Sequence, residues 1–108
     1  MNPAEKRQHP RLAIYSPALI VTGGEGYLSE ARDISQSGAR MARPKTWTER
    51  GKSECRVFFI FDQDTIIALA ARIARESNVD IGIEFLPDQQ ISIERLLYES
   101  RFQDHDSL

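Results

Sequence analysis

Cysteine occurs once in these 108 residues, at Cys55, so no disulfide within the chain and no cysteine cluster for zinc is expected. Histidine is nearly as scarce, and neither His9 nor His105 has a ligand-spaced partner, which argues against a metal centre. Long apolar runs are missing as well. Val57–Phe61 and Thr65–Ala71 fall far short of the roughly 20 residues of a membrane span, and Met1–Pro10 is polar, without the apolar centre of an export signal. A cytoplasmic chain with no membrane insertion is therefore expected. Catalytic groupings are lacking too: there is no paired nucleophile and base, and Gly23-Gly24-Glu25-Gly26 has no following Lys-Ser/Thr to make it a phosphate loop. Neither an enzyme nor a resident cofactor is expected.

What is present is ordinary globular material. Apolar residues make up 41% and charged residues 28%, the balance of one compact domain with one core. Net charge is −2, but unevenly spread: residues 1–56 carry ten Lys/Arg against six Asp/Glu, and residues 57–108 carry four against ten. An anionic partner would prefer the first half. The overall sign disfavours general nucleic-acid binding, which relies on many phosphate contacts, and suits a small anion better.

Residues 1–11, with Pro3 and Pro10 and no apolar periodicity, read as a flexible arm, and 103–108 as a disordered tail. Leu12–Thr22 is rich in β-formers, with Pro17 suggesting an edge or a bulge. Glycines 23, 24 and 26 mark a hairpin, followed by strands at Tyr27–Ile34 and Ala39–Ala42 around a tight turn, DISQSG, that calls for a residue at positive φ. Residues 43–54 form a basic loop in which Trp47 is expected to anchor to the core. Val57–Phe61 and Val79–Phe85 read as strands, the latter with a close backbone approach at Gly82. Thr65–Glu76 is composed like a helix but lies between two strands. After Pro87, Asp88 is placed to cap a helix to about Arg101. Its Ile93, Leu96 and Leu97 form one apolar stripe; Ile91, Tyr98 and Phe102 form a second, which calls for a partner protein or a homodimer through this helix.

Two constellations carry chemistry. Arg7-Gln8-His9-Pro10-Arg11 is an RxxxR spacing. Pro10 pushes His9 out of the α region, so the segment is expected to be extended, with Arg7 and Arg11 on one side about 13 Å apart. Guanidinium forks match phosphate oxygens and also the O6/N7 edge of guanine. Asp33-Ile34-Ser35-Gln36-Ser37-Gly38 fits DxSxxG. Its carboxylate accepts, and suits the N1–H and amine donors of guanine; Ser35 adds a hydroxyl, and Gly38 lets the backbone turn tightly beneath a ligand. Alone, the first reads as solvated charge and the second as a self-bonded turn. Together they point elsewhere.

With both motifs complete and in order, a strand-turn-strand between them, and Gly82-Ile83-Glu84-Phe85 late in the chain, the sequence resembles the PilZ domain family over nearly its whole length. The resemblance implies a mainly β fold: a six-stranded antiparallel β-barrel with a C-terminal α-helix over residues 12–102, in which Thr65–Glu76 is a strand. It implies a receptor for cyclic di-GMP that changes its interaction surface towards a downstream protein partner. Arg7 and Arg11 would contact guanine and phosphate; Asp33, Ser35 and Gly38 would form the floor. Gln8 stands where many relatives carry a second arginine. The alternative is a PilZ-like interaction module that binds no nucleotide and acts in pilus or flagellar assembly.

Overall fold

The computed structural model describes residues 12–103. Six strands and one helix follow in order: β1 (Leu12–Thr22), β2 (Glu25–Ile34), β3 (Gly38–Ala42), β4 (Glu54–Ile60), β5 (Ile66–Glu76), β6 (Asp80–Phe85) and α1 (Gln90–Gln103). The strands close into an antiparallel barrel in the order β1-β2-β3-β6-β5-β4, with β4 pairing back onto β1. Every expected strand is present, its ends shifted by a few residues.

Alternation explains most of this. In β1, Ile14, Ala18 and Ile20 point inward; in β4, Val57 and Phe59; in β5, Ile67, Leu69, Ala71 and Ile73. β5 shows why helix composition does not decide. Its buried residues recur every second position, and β4 and β6 pair with it on both sides, so ladder bonds and a packed face override the helical preference of Ala, Leu and Arg.

Glycine placement follows two different rules. Gly23 and Gly24 adopt φ values of 61° and 79° in the β1–β2 hairpin, a left-handed pair that residues with a side chain rarely adopt. The DISQSG turn, by contrast, contains no residue at positive φ, contrary to expectation. Gly38 is required for a steric reason instead: a Cβ there would lie 2.0 Å from the carbonyl oxygen of Ile83 on β6. The close approach expected at Gly82 is of another kind, because a Cβ would meet the Cβ of Arg75 at an ordinary 3.5 Å and no backbone.

The helix packs on β1 and β5, burying Ile93, Leu96 and Ser100 and partly burying Leu97. Its expected cap is corrected. Asp88 stands outside the helix at φ 68°, a conformation that Asp tolerates better than most residues. The helix start is held by Gln89, whose carbonyl accepts from Ile93 N–H at 2.9 Å. Its side chain joins both the N–H and the carbonyl of Ala70 at 2.8 Å, clipping the helix to the β5 backbone. Ile91, Tyr98 and Phe102 remain exposed on the other face, Tyr98 and Phe102 in edge-to-face contact. α1 is not long and apolar enough to cross a membrane.

Trp47 anchors the β3–β4 loop as expected. It is 5% exposed, meets Tyr27 edge-on at 4.9 Å, and donates its Nε1–H to Glu76 at 2.7 Å. Glu76 also accepts from the backbone N–H of Arg50 and Gly51. Burial opposes its charged form, but those hydrogen bonds and the charge of Arg43 hold its pKa below the ordinary 4.5. A folded value below the unfolded one means this stabilisation is complete above about pH 4.5 and drains away as pH falls through the folded value. Glu76→Ala is expected to cost about 2 kcal/mol at pH 7, because Trp47 Nε1–H loses its acceptor. It should also flatten the acid limb of stability measured by urea melts across pH; an unaltered limb would count against this account.

Cys55 is buried, and burial first, then the neighbouring Glu54 charge, pushes its thiol up to about 11. It is a packed thiol, not a nucleophile.

Candidate functional site

The pairing register assembles a row across the outside of the barrel. Ala13 on β1 faces Asp33 on β2, Asp33 faces Arg40 on β3, Arg40 faces Gly82 on β6, and Gly82 faces Arg75 on β5. Five strands at ordinary spacing make this row about 19 Å wide. Its first member decides much. Ala13 lies two residues after Arg11, so the chain leaves the described barrel beside Asp33. Arg7 and Arg11 themselves lie outside the described residues, as do the expected arm and most of the expected tail.

Two β-bulges aim the row. Ala31 pairs with Met41 and Asp33 with Arg40, which leaves Arg32 as an extra residue on β2. Strict alternation from buried Ala31 would turn Asp33 into the core; the bulge buries Ile34 instead and leaves Asp33 on the outer side. On β5, Ile73 pairs with Ile83 and Arg75 with Gly82, so Ala74 is the extra residue. Under strict alternation Arg75 would follow Ile73 to the interior.

The DISQSG turn is held from within. Ser35 N–H bonds the Gly38 carbonyl at 2.8 Å, Ser35 Oγ accepts from Ser37 N–H at 3.3 Å, and the two serine hydroxyls lie 3.1 Å apart. The Ser37 carbonyl accepts from Phe85 N–H at 2.9 Å, tying the turn to β6. Ser35 is buried, so its hydroxyl shapes the turn from inside. Asp33 accepts from Arg40 Nε at 2.8 Å, and Arg40 also donates to Asp80 at 3.1 Å. The hydrogen bond to Asp33, then that to Asp80, raises the Arg40 guanidinium above its ordinary value despite partial desolvation.

Beside the turn lies a cleft of about 300 Å³, lined by Ser37, Gly38, Arg40, Arg75, Gly82 and Glu84 among others. Because Gly82 has no side chain, Arg75 lies across it, its Nε 3.7 Å from where a Cβ would stand. Arg40 and Arg75 both line this cleft. Glu84 is paired with Arg72. A larger cavity of about 560 Å³ near the β1–β2 hairpin is lined by Glu25, Gly26, Tyr27, Thr46 and Thr48, and contains neither motif. Among the described residues no group of His, Cys, Asp and Glu is placed to hold a metal ion.

Of the five predicted site residues, the structure brings Asp33 and Gly38 to one face, places Ser35 beneath them, and does not describe Arg7 or Arg11. Sequence reasoning missed Arg40, Asp80 and Arg75. Alternation around buried Ala39 and Met41 is enough to turn Arg40 outward, but which residues it meets depends on register alone.

Among the described residues, then, the chain is a closed six-stranded antiparallel barrel with one terminal helix and a polar row across its outer side. The family model for the PilZ domain matches residues 5–99, and the chain belongs to the PilZ domain family. No curated protein matches it in sequence. Solved structures similar to it include the PilZ domain of CeSA from a cellulose-synthesizing bacterium, at 20% identity and a TM-score of 0.73, covering 82% of this chain and 95% of that one. The Bacillus subtilis inhibitor of motility (MotI/DgrA) is 16% identical, with a TM-score of 0.70, covering all of this chain and 58% of that one. The complex of K. pneumonia MrkH with c-di-GMP is 18% identical, with a TM-score of 0.68, covering 94% of this chain and 55% of that one. This chain thus spans nearly all of the first and little more than half of the other two. At these identities the likeness is one of fold.

Proposed function

We propose that this protein is a cytoplasmic receptor for cyclic di-GMP, not an enzyme, and that ligand binding orders its leader over the barrel and so alters the surface offered to a downstream protein. The observation that supports this reading is the pairing of Ala13, two residues after Arg11 in the sequence, with Asp33 of the DxSxxG motif. Electrostatics supports it. Around the cleft Arg40, Arg72 and Arg75 are balanced by Asp33, Asp80 and Glu84, so in this reading the positive surplus that suits a doubly negative ligand comes from Arg7 and Arg11. Membership of the family and the c-di-GMP complex of a similar fold add to it.

Isothermal titration of cyclic di-GMP tests the proposal. Arg7→Ala, Arg11→Ala and Asp33→Ala are each expected to weaken binding by about 1–3 kcal/mol, the range of a bidentate base contact. The two arginine variants should also reduce its salt dependence, because each removes a cationic contact to the ligand. Tight binding indifferent to all three changes would place the ligand elsewhere. No binding at high micromolar concentration would leave the alternative, an interaction module without nucleotide, for which Gln8 in the arginine motif is the sequence signal.

A further inference from the structure

The same register that turns Asp33 outward places a cation on it. Arg40 stands between Asp33 on one side and β6 on the other, and its guanidinium grips two carboxylates: Nε to Asp33 Oδ2 at 2.8 Å, Nη1 to Asp80 Oδ2 at 3.1 Å. Asp80 is fixed in turn by Ser77 Oγ–H, which donates to its Oδ1 at 2.9 Å within the β5–β6 turn. Burial opposes the charged form of Asp80, yet the hydrogen bonds from Ser77 and Arg40 and the charges of Arg40 and Arg75 keep its pKa below the ordinary value. The chain Ser77–Asp80–Arg40–Asp33 therefore runs from the β5–β6 turn through Arg40, which lines the cleft, to the carboxylate of Asp33.

We propose that Arg40 is the positioning residue of the ligand site: by clamping Asp33 against Asp80 it sets the plane of the Asp33 carboxylate, and so makes the site select guanine over adenine. This inference rests on the receptor reading above. Asp33 sits on a bulge, where the ladder constrains the backbone least. A carboxylate that accepts from guanine N1–H and from the exocyclic amine together must hold both oxygens in the plane of the base, and Arg40, with Nε–H on one Asp33 oxygen and Nη1 anchored on Asp80, limits how that carboxylate can turn. Adenine carries an acceptor nitrogen where guanine carries N1–H, so a correctly turned carboxylate repels it. Lysine keeps the charge but not the fork.

The experiment is calorimetric titration of cyclic di-GMP and cyclic di-AMP into wild type, Arg40→Ala, Arg40→Lys, Asp33→Ala and the Arg40→Ala/Asp33→Ala double variant, each checked for folding by a thermal melt. Arg40→Ala is expected to weaken cyclic di-GMP about ten- to hundredfold and to collapse the preference over cyclic di-AMP, with Arg40→Lys falling between. The double variant should lose no more than the larger single change, since both act through one contact. A plain structural role for Arg40 would lower the melting temperature without changing base preference, and that result overturns the proposal. So do additive losses in the double variant. If Arg40→Ala does not fold, Arg40→Lys decides, and wild-type base preference in it overturns the proposal. Failure of wild type to bind cyclic di-GMP would instead remove the receptor reading itself.

Discussion

Gly38→Ala is expected to lower the free energy of unfolding by about 3 kcal/mol, the upper part of the usual cost of forcing atoms into a packed site. The reason is a single distance. The new methyl would lie 2.0 Å from the Ile83 carbonyl oxygen and 3.1 Å from its carbon, and both belong to the β6 backbone, which cannot swing away as a flexible side chain does. Strand β3 must then separate from β6 at the Gly38–Glu84 pair, where barrel closure and the cleft coincide. Urea unfolding reads the loss, and titration of cyclic di-GMP should fall with it. A variant with wild-type stability would mean that β3 and β6 are not this close.

Phe59→Ala should have an effect at least as large, about 4 kcal/mol, the range for removing a buried phenylalanine. Phe59 is fully buried on β4, paired with Ala18 on β1 and Ile67 on β5, and its ring meets Phe85 edge-on at 6.4 Å. It thus spans the seam where β4 closes the barrel onto β1. A small neighbour such as Ala18 cannot expand into the vacated volume, so the cavity should persist. Phe59→Leu keeps most of the volume and is expected to cost less than half as much. Urea melts of both variants check the order, and equal losses would contradict the packing argument.

These two positions carry the barrel, whereas the proposed recognition rests on polar residues whose substitution should leave it standing. Asp33, Arg40 and Arg75 all lie on the outer side, with no part in the apolar core. Variants of these outer residues should therefore lose affinity while keeping stability, whereas Gly38→Ala should lose both.

Strands β1 and β4 were legible from their β-forming and apolar composition, whereas β5, composed like a helix, was assigned to a strand only through the family resemblance, because its alternation of buried and exposed positions is not an alternation of apolar and polar residues. The two motifs were equally legible, being contiguous in the chain. Local rules misjudged the ends of elements. Asp88 has the chemistry of a helix cap, yet Gln89 holds that place because the backbone of Ala70, distant in sequence, offers it both a donor and an acceptor. Gly38 was recognised as necessary, but for a turn conformation it does not adopt; the true constraint, a carbonyl on another strand, leaves no trace nearby in the chain.

By itself, then, the order of residues determined a β-rich fold and the two motifs on which the proposed recognition rests, since each depends on neighbours along the chain. Only the tertiary structure decided which way Asp33 and Arg75 face and that Arg40 joins Asp33 to Asp80. Register and bulges arise between strands: one extra residue on β2 and one on β5 reverse the side to which everything beyond them points, and no pattern within either strand records where the partner strand will skip.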